Sequence, residues 1–395
     1  MSFSVIFLNT FQFLFFMVEP LCQYFGQCGG CSTQHIAYNI QLDNKRKQLA
    51  YSIGISQDHL QDIQVFSDKE YFYRNRMDMM FTPRGIGLRK KGDWKNSLDI
   101  EKCVIANEKL NELIKEIRQN FQGVDSFDVR KNTGTYRYVV IRTPGTKESS
   151  TSSISFVLNE DSTKTGEAID KIKHYAKFSS AENIIITYVP KETDMSISEE
   201  FFIVKGKDML TENYLNKEFT YSVQGFFQNN TPMAEKMHEY VHTLCKKHES
   251  KTITLLDLYA GVGTFGINNC EFFKNLFIIE SDKHCIMAAK INIEKNNIKN
   301  AEIIEMDAMQ LKKVELPDKD LFVITDPPRS GMHPKTIDQL NKLRPKVIIY
   351  ISCNIEQLGK DLPKFKDYEL KSTAMFDLFP HTPHVEAIVE LSLKE

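Results

Sequence analysis

The sequence predicts an α/β protein: a Rossmann-like, doubly wound C-terminal domain preceded by a mixed α/β, β-rich N-terminal and middle domain. Two observations carry this. From about Phe226 onward, a helical stretch at Pro232–Lys247 leads into apolar runs at Thr252–Leu258, Leu276–Glu280, Ala301–Met306, Leu321–Thr325 and Val347–Ser352, most of them separated by helical stretches. Strands alternating with helices at this spacing build a parallel sheet covered on both faces. Before Phe226, the strand-like runs Tyr136–Arg142, Ile154–Leu158 and Asn183–Val189 are separated by loops rich in Ser, Thr and Gly and lack that alternation.

The apolar run Phe3–Val18 is interrupted by Asn9, Thr10 and Gln12, and the first Lys or Arg of the chain is Lys45. It suits neither a membrane span nor a signal peptide and is read as an N-terminal extension, 1–16, ahead of a start at Met17. Residues 17–105 form a cysteine-bearing segment and the start of the middle domain, with helical periodicity at Ile36–Ile53 and short strands between Asp68 and Lys95 broken by Pro83, Gly85, Gly87 and Gly92. The middle domain covers 106–225 and opens on a helix near Ala106–Phe121. The C-terminal domain covers 226–395. Its last two runs, Leu370–Phe376 and Val385–Leu391, follow each other without a helix and are expected as an antiparallel hairpin at the sheet edge.

With 395 residues and 42% hydrophobic content, the chain can bury a large core. Its 50 Lys and Arg against 52 Asp and Glu leave a net charge of −2, so any nucleic-acid surface must be a local basic patch. Two stretches qualify: Arg84, Arg89, Lys90, Lys91 and Lys95 around Trp94, and Arg130, Lys131, Arg137, Arg142 and Lys147 around Tyr136 and Tyr138. The eight cysteines are clustered and unevenly spaced, which points to metal or catalytic use in a reducing cytoplasm in preference to a disulfide framework.

Three motifs fall at the ends of predicted C-terminal strands. Leu255–Leu258 enters Tyr259-Ala260-Gly261-Val262-Gly263-Thr264-Phe265-Gly266, where glycines let backbone approach a ligand closely. Glu280 ends the next strand and has the carboxylate such folds use for ribose hydroxyls. A dinucleotide site of a nicotinamide oxidoreductase is the rival, matched only in part by the glycine spacing. Thr325-Asp326-Pro327-Pro328-Arg329-Ser330-Gly331 ends the fourth strand, and its prolines stiffen the loop so that Asp326 can face the cleft. Ser352-Cys353-Asn354 ends the fifth. A thiolate there could add to the electrophilic C6 of uridine and turn C5 into a nucleophile for a methyl group on a sulfonium donor. The C5 proton must then be removed, and Glu386, opening the final strand, is a candidate base. At the other end Cys22, Cys28 and Cys31 form C-x5-C-G-G-C, with Cys103 as a distant fourth ligand. Clustered thiolates suit zinc or an iron–sulfur cluster; the absence of paired C-x-x-C or His-containing halves favours a [4Fe–4S] site.

From the C-G-G-C segment to the C-terminus, the chain closely resembles the RNA 5-methyluridine (uracil-C5) methyltransferase family, specifically its iron–sulfur-containing rRNA and tRNA members. The marks are Tyr73-Arg74-Asn75-Arg76, Gly225-Phe226-Phe227-Gln228-Asn229-Asn230, the Asp257–Gly263 turn, Asp326-Pro327-Pro328-Arg329, Ser352-Cys353-Asn354 and Asp377-Leu378-Phe379-Pro380-His381-Thr382, in family order. The resemblance implies a class I methyltransferase domain binding S-adenosyl-L-methionine through Gln228, Tyr259, Thr264, Glu280 and Asp326. Cys353 would attack the base, Glu386 would accept the proton, and Cys22, Cys28, Cys31 and Cys103 would ligate a [4Fe–4S] cluster. The implied partner is RNA, either 23S rRNA or the T-loop of tRNA, met by a cytoplasmic monomer away from any membrane. Ala260 stands where many members carry Cys, and Thr264 where Asn is common. No N-terminal β-barrel RNA-binding domain precedes Cys22, so the middle domain is expected to take on RNA recognition. Two alternatives remain: a cytosine-C5 RNA methyltransferase, and a noncatalytic RNA-binding or assembly protein with an inert Cys353.

Overall fold

The structure, a computed structural model, describes residues 17–145, 151–316 and 320–394. The extension 1–16 and Lys147 lie outside the described residues.

Among these residues the chain builds two large sheets and one separate hairpin. The first sheet is mainly parallel and doubly wound. Strands β11 (Ser250–Leu258), β12 (Phe273–Glu280), β13 (Ala301–Glu305), β14 (Leu321–Thr325) and β15 (Val347–Ser352) are parallel in the order β15-β14-β11-β12-β13. The order reverses between β11 and β14, and such switch points open a crevice at the carboxyl ends of the strands. Apolar clusters cover both faces, one around Leu255, Ile278 and Ile324, the other around Leu256, Ile279 and Val323. This is why these strands read as continuous apolar runs.

The strands β16 (Tyr368–Phe376) and β17 (Glu386–Leu393) do form an antiparallel pair, with β17 inserted beside β15. Their expected place at the sheet edge is corrected by β1 (Ile63–Phe66), which pairs parallel with β16 and forms the outer edge of an eight-stranded sheet. Helix α1 (Tyr38–Ile53) precedes it, and its apolar Leu49 and Ala50 enter the same core as Leu358 and Met375. The hydrophobic faces of both elements are completed only by a sheet some three hundred residues downstream.

The second sheet has the order β4-β3-β2-β5-β6-β7-β8, from β2 (Arg76–Thr82), β3 (Gly85–Lys90), β4 (Asp93–Asp99), β5 (Tyr136–Arg142), β6 (Ser153–Asn159), β7 (Asn183–Val189) and β8 (Phe201–Lys205). It is antiparallel except at β6–β7, where α3 (Thr165–Ala176) makes the crossover. Helix α2 (Glu108–Asn120), capped by the Asn107 side chain on Leu110 N, lays Leu110, Leu113, Ile114 and Ile117 into one core with Ile172 and Tyr175 of α3. The hairpin β9 (Met209–Tyr214) and β10 (Lys217–Ser222) turns through Leu215 and Asn216, both at positive φ. Strand β8, this hairpin and α3 are elements that sequence periodicity did not single out.

The second of the two basic stretches is corrected in part: Arg130 and Lys131 are exposed, but two of its arginines are not. Arg137 and Arg142 are 5% and 3% exposed. Arg137 lies over the Phe127 ring and donates to the carbonyls of Pro190 and Thr193, while Arg142 donates to Gly225 O beside buried Glu212. Both lie on β5, a strand buried on both faces, so charge pattern alone misplaced them. The first stretch stays on the surface.

No helix among the described residues is long and apolar enough to cross a membrane.

Candidate active site

One cavity of about 950 Å³ opens where the two sheets meet. Its lining includes Gln228, Tyr259, Glu280, Asp326, Cys353 and Glu386 together with Cys22, Cys28, Cys31 and Cys103. The structure therefore brings ten of the eleven residues singled out from sequence to one space. Thr264, the first residue of helix α5 (Thr264–Asn269), is half-buried and not in the lining.

The glycine turn is shaped by contact as much as by conformation. Gly263 sits at φ +84° at the helix N-terminus, and a Cβ at Gly266 would come within 2.7 Å of Asp257 Oδ2. That closeness lets Gly266 N donate to Asp257 at 2.7 Å and locks α5 onto β11. Buried beside Asp326 and Glu280, the Asp257 carboxyl is pushed up to about 8, chiefly by desolvation. Tyr259 occupies the left-handed region at φ 56°, the strained backbone that ligand sites often hold. Glu280 accepts from Gly261 N at 2.8 Å, Ser281 N at 2.7 Å and Asp282 N at 2.9 Å.

Across the switch point, Asp326 N bonds Leu258 O at 3.3 Å, and burial pushes its carboxyl up to about 7. Ser352 pairs with Ala387 across β15 and β17, which sets Cys353 and Glu386 at adjoining ends of neighbouring strands. Glu386 is 5% exposed, and its carboxyl makes no hydrogen bond to a described residue. Burial and Asp326 drive its carboxyl well above the ordinary carboxylate range, against the opposing charge of Arg329. The Cys353 thiol is pushed up to about 11 by burial, then by Glu386 and Asp326, with Arg329 again opposing. Arg329 is thus the cation shared by nucleophile and base candidates. Its motif was legible in the sequence, but this role was not, because it depends on β17 returning beside β15.

The supports converge from distant segments. Asn75 donates to Gln228 O at 3.2 Å and to Thr231 Oγ1 at 2.8 Å, Tyr73 OH to Pro380 O at 3.1 Å, and Asn230 Nδ2 to Leu378 O at 3.0 Å. From α1, Lys45 reaches Asp377 at 2.6 Å and Phe379 O at 3.1 Å, and Tyr38 OH reaches Asp377 at 2.8 Å. The loop leading to Glu386 is therefore held from both domains. Asn354 caps helix α8 (Ile355–Asp361) and donates to Arg329 O at 2.9 Å, fixing Cys353 relative to that arginine.

All eight cysteines are free. Cys22, Cys28, Cys31 and Cys103 are half-buried in the cavity lining, and Cys31 is pushed up to about 12 by burial and by the other three thiols. They are near enough to feel each other's charge. Yet no group of three or more His, Cys, Asp or Glu among the described residues converges as a single metal ion requires.

Residues 37–394 match the family model described as tRNA (Uracil-5-)-methyltransferase. The tRNA (uracil(54)-C(5))-methyltransferase of Pyrococcus abyssi is 31% identical over 378 residues, 95% of this chain and 86% of the relative. The Pyrococcus horikoshii protein of the same name is 32% identical, again over 95% and 86%. The crystal structure of the Pyrococcus abyssi tRNA (uracil-54, C5)-methyltransferase in complex with S-adenosyl-L-homocysteine aligns with TM-score 0.75 at 30% identity, covering 92% of this chain and 85% of that one.

Proposed function

Since the chain belongs to the tRNA (uracil-5-)-methyltransferase family and is an S-adenosylmethionine-dependent RNA uracil-5-methyltransferase, we propose that it methylates C5 of a tRNA uridine through a covalent bond between Cys353 and C6. The observation that carries this reading is the juxtaposition of Cys353, Glu386 and Arg329 in one cavity. Uracil is favoured over cytosine by the family model and by the names of the Pyrococcus relatives, since a C5 proton would have to be removed from either base. The tRNA uridine is favoured over an rRNA target by the names of the Pyrococcus relatives, which specify uracil 54.

S-adenosylmethionine, when bound, brings an electrophilic methyl group on a sulfonium. Gln228, Tyr259, Glu280 and Asp326 would hold it, and Gly261, which lines the cavity at positive φ with open space where a Cβ would stand, leaves room for a nucleoside at the end of β11. Cys353 Sγ, as the thiolate, adds to C6, and the electron density moved to C5 takes up the methyl group, leaving S-adenosylhomocysteine. Glu386 then removes the C5 proton, and the Sγ–C6 bond breaks to release the product. Arg329 favours the ionised forms of both groups.

The four N-terminal cysteines would hold a [4Fe–4S] cluster. A cubane would offer each thiolate its own iron, and Cys31 lies near enough to Cys22, Cys28 and Cys103 to feel their charge. The free thiols fit the reducing cytoplasm.

The test is mass-spectrometric mapping of 5-methyluridine in tRNA and 23S rRNA from cells lacking the protein, beside methyl transfer by the purified protein to transcripts of each. Loss confined to tRNA is expected. Loss confined to rRNA reassigns the substrate, and no loss in either overturns the reading.

A further inference from the structure

Resting on the reading as an RNA methyltransferase, we propose that the β3–β4 hairpin is a docking surface for RNA outside the catalytic cavity. Trp94 stacks on an unpaired base there, and Lys90, Lys91 and Lys95 hold the flanking phosphates. Leu88 of β3 lines the cavity, so the hairpin projects from its wall. Its direction is fixed by the cysteine-bearing loop: Gly29 N donates to Arg89 O at 3.0 Å and Lys91 N to Gln27 O at 2.8 Å.

Trp94 is the single tryptophan of the chain and is 54% exposed at the start of β4. An aromatic ring this large contributes most to stability when buried, so its exposure has no explanation in the core. The ring is flanked by cations, with Arg89 at 5.6 Å and Lys95 at 5.4 Å from its centroid. Arg89 is itself clamped, donating to Trp94 O at 2.7 Å, Tyr138 OH at 2.9 Å and both Asp194 oxygens at 2.6 and 2.7 Å. It supports the ring and is not free for a phosphate. Lys90, Lys91 and Lys95 are exposed and form no ion pair among the described residues. Asp93, the one carboxylate between Arg84 and Asn96, is occupied by the Asn96 side chain.

An aromatic face beside unpaired cations is the pairing that single-stranded nucleic acid recognises, through base stacking and phosphate contact. An acidic peptide would satisfy the lysines and leave the ring unused.

Because Trp94 is unique, the wild-type protein carries its own reporter. Titration with an unmodified tRNA transcript should quench tryptophan fluorescence with the midpoint found by filter retention, whereas polyglutamate should not. Trp94→Ala should weaken tRNA binding about 10-fold and Trp94→Phe should retain most of it. Lys90→Ala, Lys91→Ala and Lys95→Ala should each lower the salt slope of binding by about 1. In all of these KM for tRNA should rise, with kcat and S-adenosylhomocysteine binding unchanged. If tRNA binds and is methylated with Trp94 unquenched, the hairpin is not the surface and the enzymatic reading stands. Equal quenching by polyglutamate reassigns the hairpin to an acidic partner. Failure of the folded protein to bind any RNA overturns both.

Discussion

Glu280 and Glu386 are the same residue type at strand ends on one sheet rim, and the structure treats them oppositely. Glu280 is half-exposed and accepts from three backbone N–H groups, which fix its oxygens as hydrogen-bond acceptors at the crevice. Glu386 is buried, without a partner, beside a thiol and another carboxyl, a setting that favours the neutral acid and makes the group ready to exchange a proton. Strand-end position announces that a carboxylate faces the ligand crevice. Its surroundings decide whether it binds or moves a proton.

The comparison is broken most directly at the thiol that Glu386 faces. Cys353→Ala should reduce methylation to background and abolish any protein–RNA adduct, since C5 never becomes nucleophilic without sulfur at C6; an adduct surviving in this variant, seen on a denaturing gel, would reassign the nucleophile. Glu386→Gln should lower turnover by about 10²–10⁴ while methylated RNA stays attached to Cys353, because release needs the C5 proton removed. Normal turnover in this variant would move the base elsewhere. Glu280→Ala should behave differently, weakening S-adenosylmethionine binding by roughly 10- to 100-fold, the loss of about 1.5–3 kcal/mol for a charge-assisted hydrogen bond, with no trapped adduct. Unchanged affinity in calorimetry would remove Glu280 from the site.

A smaller effect sharpens the contrast. The Cys353 thiol is pushed up to about 11, with Glu386 as the leading charged cause, so thiolate increases as pH rises toward that value. Glu386→Gln removes a carboxylate that is ionised in the alkaline range where Cys353 titrates, and should shift alkylation of the Cys353 peptide by iodoacetamide to lower pH. Glu280→Gln should leave that profile in place. A midpoint that rises in Glu386→Gln would contradict the proximity on which the mechanism rests.

Much of this site was legible in sequence because its parts are local. The apolar runs of β11, β12, β14 and β15 set a buried parallel sheet, and chain continuity alone puts the Gly263 turn, Glu280, Asp326 and Cys353 at strand ends, on the edge where such sheets bind ligands. The tertiary structure decided what depends on long-range closure. The sequence of Ile63–Phe66 is no more than a short β-prone run, and only the uncovered edge of β16 made it a strand of the methyltransferase sheet. The charge of Arg142 reads as surface, and its burial follows from the packing of Tyr221 and Glu212 around it. The Cys22–Cys31 loop and Cys353, more than three hundred residues apart, share one cavity because Asn75 and Tyr73 bond backbone carbonyls of two distant loops. Periodicity and turn chemistry act over a few residues, whereas a carboxyl's proton affinity and a cation's partner are set by whatever the fold packs against them.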